Sequence, residues 1–370
     1  SGSVPNSANI EYYAEIVREK SVLRRLVDAG NRILTETFTS PRPADEVLDW
    51  AEGQILEIGD NRSSADARSI QDVLKQTMDN IQKLAERSGE SYVTGYETGF
   101  FQLDQLTGGL HGGELGIIAA RPSMGKTTFV LNVARKMAVD YHSAVAFFSL
   151  EMSAENIARH LLVAQSRVRA QGMRNGHLSV EELEKLTLGL GTLRDTKLFL
   201  DDTPGLSIGA LRGACRRLKR MHDIKAVFID YLQLMTGVTR SRDANRQEEI
   251  SSISRGLKAL ARELDIPVIA LSQLNRAVED RKDHKPMLSD LRESGAIEQD
   301  ADLVILLHRP DYYENKALVG EEAASVNVAE TEVIIAKQRN GPTGTIKAVF
   351  FKDQLRFENP SNREGGFSDE

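Results

Sequence analysis

The stretch Leu115-Gly-Ile-Ile-Ala-Ala-Arg-Pro-Ser-Met-Gly-Lys-Thr127 decides the fold. Five apolar or small residues, 115–119, read as a buried strand, and the helical pattern from Thr127 to Val139 follows the turn. Strand, Gly-Lys-Thr turn and helix form the P-loop arrangement. Backbone N–H groups of the turn and the positive end of the helix suit an oligophosphate. Lys126 is placed to reach the β- and γ-phosphates and the Thr127 hydroxyl to hold Mg²⁺, with Ser123, Met124, Gly125 and Thr128 completing the cradle. ATP and Mg²⁺ are the expected cofactors. The pattern's first glycine is replaced by Ala120, so the turn is expected to tolerate a right-handed conformation there.

Outward from this motif, strands alternate with helices from Tyr92 onward, which implies an α/β fold with a mostly parallel sheet. The segments 144–150, 226–229, 268–271 and 303–307 read as buried strands. The segments 331–336 and 345–351 read as a β-ribbon with Asn340-Gly341-Pro342 near its tip. Ahead of this core, 9–60 is helical in pattern and broken by Ser40-Pro-Arg-Pro43, a two-helix hairpin too small to bury its own core. A polar stretch leads to an amphipathic helix with Ile70, Val73, Leu74, Met78, Ile81 and Leu84 in one stripe. The expected organisation is a helical hairpin (1–62), a linker with its helix (63–92), the ATPase core (93–360) and a polar, disordered tail (361–370).

Three strand ends carry polar groups. Val227-Phe-Ile-Asp230 is an apolar strand ending in a carboxylate, the Walker B pattern, so Asp230 is expected to help Thr127 fix Mg²⁺. Phe147-Phe-Ser-Leu-Glu151 reads as another strand capped by a carboxylate. Ligands of open parallel sheets sit at strand carboxyl ends, so Glu151 is the candidate water activator, against the plainer reading of an acid near a helix start. Gln273 ends Val268-Ile-Ala-Leu-Ser-Gln and is the candidate γ-phosphate sensor. Lys337 and Arg339, two apart at a strand end, share a face. They are expected to act on a neighbouring subunit's γ-phosphate, the alternative being solubility charges on an edge strand. The basic loop after Asp230, with Arg240, Arg242 and Arg246, and the flexible stretch Asp290-Leu-Arg-Glu-Ser-Gly295 are placed to bind a polyanion and respond to nucleotide.

The net charge of −7 confines any nucleic-acid contact to local groups. The single cysteine, Cys215, excludes an internal disulfide framework and a cysteine-based zinc site, and fits a reducing, cytoplasmic setting. Cys215 is expected to be half-buried and inert. No apolar run is long enough to span a bilayer, so no membrane partner is expected. The opening Ser1-Gly2-Ser3 reads as a cloning remnant, so the chain is expected to be a piece of a longer protein.

Together these residues resemble the DnaB family of replicative DNA helicases, which have a RecA-like core. The likeness rests on Ala120–Thr127, Ser149-Leu-Glu-Met152, Phe228-Ile-Asp-Tyr-Leu-Gln233, Ser272-Gln-Leu-Asn275, Asp290-Leu-Arg-Glu-Ser-Gly295 and Lys337-Gln-Arg-Asn-Gly341, and it covers about Thr94 to Pro360. Ala120 is ordinary in that family. The resemblance implies a ring-shaped homohexamer moving 5′ to 3′ on single-stranded DNA, with primase and a helicase loader as partners. It implies that Arg292, Glu293 and Gly295 grip the DNA backbone, and that Arg339 is a finger in trans with Lys337 as companion. The 70–87 helix resembles the linker helix that docks on the adjacent ATPase domain, and the hairpin resembles the end of an N-terminal domain. A RecA-like recombination or repair ATPase and a nucleotide-switched DNA-binding scaffold are the other readings. Asp290–Gly295 and the hairpin weigh against the first, and Glu151 with Arg339 against the second.

Overall fold

The computed structural model describes residues 10–40, 47, 50, 51, 53–55, 69–71, 74, 75, 77–79, 82, 93–235, 246–317 and 327–360. They fall into two units, Ser1–Arg87 and Ser88–Glu370. In the first, α1 (Ile10–Thr39) is one continuous helix that stops before the Pro41/Pro43 break. Residues 47, 50, 51 and 53–55 are helical again, as are the described positions of 70–82. Exposed apolar side chains are frequent here: Val17, Leu26 and Phe38 on α1, and Ile70, Leu74 and Met78 of the later stripe. Val73, Ile81, Leu84 and the 361–370 tail lie outside the described residues.

The second unit is built on one nine-stranded sheet. Its strands are β1 (Leu115–Ala120), β2 (Val145–Ser149), β3 (Leu198–Asp201), β4 (Ala226–Asp230), β5 (Val268–Gln273), β6 (Leu303–His308), β7 (Val328–Gln338), β8 (Gly344–Phe351) and β9 (Arg356–Glu358), in the order β3-β2-β4-β5-β1-β6-β7-β8-β9. From β3 to β6 the pairing is parallel; β6 to β9 pair antiparallel. The expected ribbon is therefore longer than 331–336 and 345–351, and it is interior: β7 lies between β6 and β8. Two strands escape the sequence reading, β3 and β9, because each is a run of three or four residues at a sheet edge.

Strands buried on both faces read as near-continuous apolar runs, and β1, β2, β4 and β6 are buried at every position. Period two then sorts the side chains into two cores. Ile118, Phe147, Phe228, Ile269 and Ile305 meet Phe129, Val133 and Met137 of α2 (Lys126–Val139). Ile117, Phe148, Val227, Ala270 and Val304 meet α3 (Ile208–His222) and α4 (Arg246–Leu264) through Leu211, Cys215, Ile253, Leu257 and Leu260. Cys215 is thus fully buried rather than half-buried, and that burial pushes its thiol well above the usual range. Gly116 lets β1 and β5 close up, since a Cβ there would stand 2.5 Å from Ile269 Cδ1.

The sheet has two ends. At one, the carboxyl ends of β1, β2, β4 and β5 gather: Ser149 stands level with Asp230, and Ala120 with Gln273 about two residues further along. At the other, Leu115 and Gly116 stand level with Val268, Ile269 and Leu303, and Leu303 pairs with Gln338.

Candidate nucleotide-binding site

At the first end the chain turns from β1 into α2. The left-handed backbone that the turn needs falls at Ser123 (φ 68°) and Gly125 (φ 89°), not at residue 120. Ala120 is simply the last residue of β1 and is buried, so the missing glycine costs nothing there. Gly125 is the residue before the helix, and a Cβ on it would lie 3.2 Å from the Phe357 ring. Gly125→Ala is therefore strained in both backbone and packing. It is expected to weaken nucleotide binding by roughly ten- to a hundredfold, from strain of ~1–3 kcal/mol. Titration with a fluorescent ATP analogue checks this.

A cleft of about 390 Å³ opens over the turn, lined by Ser123, Gly125, Lys126, Thr127, Thr128, Glu151 and Gln273, with Tyr231 and Arg121. Every cradle residue named above therefore lines it except Met124, whose side chain is buried in the core and which has only its backbone for the turn. Glu151 follows the Ser149–Asp230 register pair by two residues and is exposed into the cleft.

The electrostatics are those of a half-built charge site. Thr127 Oγ1 donates to Asp230 Oδ2 at 2.7 Å. Asp230 is fully buried, and its Oδ1 has no hydrogen-bond partner among the described residues. Burial raises the Asp230 carboxyl above its usual value, against the pull of Lys126 and Thr127; Glu151 adds to the rise. Burial also lowers the Lys126 ammonium, with Asp230 and Glu151 opposing. A buried carboxylate oxygen lacking a donor, beside a hydroxyl, suits a hard cation that keeps most of its ligands as water and phosphate.

Some contributors carried no sequence signal of this kind. Lys126 Nζ rests over the Tyr231 ring, 4.8 Å from its centre. Arg121, nearly buried, donates to Leu274 O at 2.8 Å and to Glu279 Oε1 at 2.6 and 2.9 Å, tying the turn to the residue after Gln273. Arg309, paired with Asp311, donates to Ser123 O at 3.3 Å. Gln233 Nε2 donates to Ser272 Oγ at 2.9 Å and so links the β4 and β5 ends. Each depends on tertiary contact between distant segments, which spacing along the chain does not reveal.

Lys337 and Arg339 are not near this cleft. They stand at the opposite end of the sheet, since Lys337 pairs with Val304 and Arg339 N donates to Asp302 O. Arg339, at the Leu115 level, is five residues of β1 from Ala120, ~16 Å at the usual rise of a strand, and Lys337, at the Ile117 level, is three residues or ~10 Å away. Both cations reach the C-terminal end of α5 (Gly295–Asp300): Lys337 Nζ donates to Glu298 O at 2.5 Å, and Arg339 Nη2 to Gln299 O at 2.7 Å. β7 lies between β6 and β8, but its pairing with β8 stops at Ile335, so the stretch carrying these charges is paired with β6 alone.

The stretch 290–295, expected to be flexible, is ordered: residues 288–294 form a 3-10 helix that runs into α5. Asp290 is buried and accepts from Arg281 Nη1 at 2.9 Å and Nη2, and from the Met287 N–H at 2.7 Å, which holds the turn. Gly295 opens α5 with a right-handed φ of −52°. The side chains of Arg292, Glu293 and Arg246, and all of Arg240 and Arg242, lie outside the described residues.

A mostly parallel sheet with the phosphate turn after its central β1, the Mg²⁺-type aspartate at the end of β4 and the candidate base two residues past neighbouring β2 defines a RecA-like P-loop ATPase. Residues 95–359 match the DnaB-like helicase C terminal domain. The chain is 47% identical to the replicative DNA helicase DnaC of Bacillus subtilis (strain 168) over 361 residues, which are 98% of this chain and 77% of that protein. The replicative DNA helicase DnaB of Geobacillus stearothermophilus is also 47% identical over the same shares. Among solved structures, one ATPase domain superposes with a TM-score of 0.71 at 39% identity, covering 80% of this chain and all of that one. A DnaB-like replicative helicase described with its interactions with primase gives 0.75 at 33%, covering 96% and 80%. The chain belongs to the DnaB-like replicative helicase family and is an ATP-dependent DNA helicase.

Proposed function

We propose that the chain is the motor of a homohexameric ring that burns ATP at the seams between subunits and moves 5′ to 3′ along single-stranded DNA at the replication fork. One observation carries the seam: Arg339 stands about 16 Å along the strands from its own phosphate turn, at the far end of the sheet, so its cation serves another subunit's nucleotide or none. Within one subunit the turn N–H groups and Lys126 bind the β- and γ-phosphates. Thr127 Oγ1 and Asp230 would hold Mg²⁺ with the phosphates, which supplies positive charge to the oxygens that gain negative charge in transfer. Glu151 orients and deprotonates the attacking water. Gln273, at the end of β5, senses the γ-phosphate, and the neighbour's Arg339 and Lys337 stabilise the charge of the transition state.

The DNA contacts are assigned to Arg292, Glu293 and Gly295, with Arg240, Arg242 and Arg246 on the second loop. With a net charge of −7, one subunit has little cationic field to offer, and several copies around one strand are needed for useful affinity. Arg292→Ala is expected to weaken single-strand binding and lower its salt slope by about one, with basal turnover spared. Binding titrations at several salt concentrations check this; an unchanged slope removes Arg292 from the interface.

Among the described residues no helix is long and apolar enough to cross a membrane; a cytoplasmic setting with primase and a loader as partners fits replication. The first unit is assigned as the end of an N-terminal domain (1–62) and a linker (63–92) whose helix docks on the adjacent subunit through the exposed Ile70, Leu74 and Met78. The reading is tested by unwinding of forked DNA with each tail removed in turn. Loss only when the 5′ tail is absent is the expected result; loss only without the 3′ tail reverses the polarity, and unwinding by neither route favours a recombinase or scaffold.

A further inference from the structure

Asp302 lies between α5 and β6 and is buried at the far end of the sheet. Its two carboxylate oxygens have different partners. Oδ2 accepts from Leu115 N at 2.8 Å, which satisfies the first N–H of β1, and from Lys258 Nζ on α4 at 2.5 Å. Oδ1 faces Arg339, whose Nη1 lies 3.3 Å away. The Asp302 carbonyl also accepts from Arg339 N at 2.9 Å, and Gln299 O accepts from Arg339 Nη2 at 2.7 Å. Backbone and guanidinium of this one arginine are thus tied to the same short stretch, while its side chain stays 44% exposed. Lys258 is the second cation on the carboxylate, so the buried charge is paired from both sides.

A finger acts only when its planar fork is presented in one orientation, and a long exposed side chain has many to lose. A fixed carboxylate beside the guanidinium narrows them before the phosphate arrives, the kind of preorganisation that supports a transition-state contact. We infer that Asp302 is the positioning residue of the finger: it aims Arg339 at the neighbour's γ-phosphate, so its effect is felt in the adjacent subunit's turnover. The inference rests on the trans reading of Arg339 proposed above. The rival role is local. Asp302 caps β1 at Leu115, five residues before Ala120, and through that strand would serve its own subunit's phosphate turn. Asp302→Asn separates the two roles. Its amide oxygen still accepts from Leu115 N and Lys258, but its NH₂ group is set against the Arg339 N–H groups, donor against donor.

The test is ATP turnover in mixed assemblies of the full chain. Asp302→Asn alone is expected to lose about tenfold to a hundredfold in turnover, the worth of one charge-assisted contact, with nucleotide affinity unchanged. In the Arg339→Ala background it adds no further loss, since the group it aims is gone. Mixed with Glu151→Ala, whose finger and Asp302 are intact, it regains turnover above that of either protein alone. Mixed with Arg339→Ala, it regains nothing beyond the average of the two. Asp302→Glu, which keeps a counter-charge for Lys258 and moves the carboxylate by one methylene, gives the same pattern. The opposite pattern, rescue by Arg339→Ala and not by Glu151→Ala, assigns Asp302 to its own subunit's cleft and overturns the inference. Rescue by neither, in both Asp302 variants, overturns it as well. An equal mixture of Arg339→Ala and Glu151→Ala is the reference. If that pair fails to restore turnover, the trans reading falls; if it succeeds and the Asp302 mixtures fail, the positioning role alone falls.

Discussion

Lys126→Ala is expected to lower ATP turnover at least a hundredfold, because one preorganised donor aimed at developing charge contributes that much in a water-excluded site. The geometry makes this lysine hard to replace. Its ammonium is half-buried at the start of α2, faces Asp230 and Glu151, and is parked over Tyr231. Among the described residues no other cation lines the cleft except Arg121, and Arg121 is committed to Glu279 and the Leu274 carbonyl. Removing Lys126 also strips Asp230 of the cation that holds its carboxyl down, which raises the carboxyl further and would weaken it in the Mg²⁺ role proposed for it. Turnover at saturating ATP and the rise in unfolding temperature on adding nucleotide should therefore fall together. A variant that keeps wild-type turnover removes the P-loop assignment.

Arg339→Ala should separate those two quantities. With its cation at the far end of the sheet, the variant keeps the whole of its own cleft and binds nucleotide as before. Hydrolysis in the assembled protein is expected to drop about a thousandfold or more, the usual worth of an arginine finger. Equal losses of nucleotide affinity and of turnover would mean that Arg339 acts through the fold, by way of Asp302 and β1, and not on phosphate.

The sequence announces the elements whose chemistry is local. Gly125-Lys126-Thr127 needs only a strand before it and a helix after it, and both are written as apolar runs of the right period. Asp230 and Gln273 stand out because each ends a buried strand, and Glu151 because it follows one by two residues; strands of a parallel sheet align their carboxyl ends. The pairing of Lys337 with Arg339 is legible from period two, but its position is not. Only the antiparallel register of β7 on β6 puts both cations at the end remote from the phosphates. The Asp290–Gly295 stretch reads as a loop because its residues are polar. Its helical order comes from Arg281 and from Leu291 and Ile297 buried against α4, contacts that composition does not encode. Arg121, Tyr231 and Arg309 escaped for the same reason: each is an ordinary residue until the fold sets it against the turn.

The seam itself is best probed by mixing two inactive proteins, Arg339→Ala and Glu151→Ala, and measuring ATP turnover as a function of their ratio. In a head-to-tail assembly, about a quarter of the seams in an equal mixture pair an intact Glu151 with an intact Arg339. Activity should rise from near zero at either pure composition to a maximum near equal parts. A mixture as inactive as its components at every ratio would contradict a site shared between two copies.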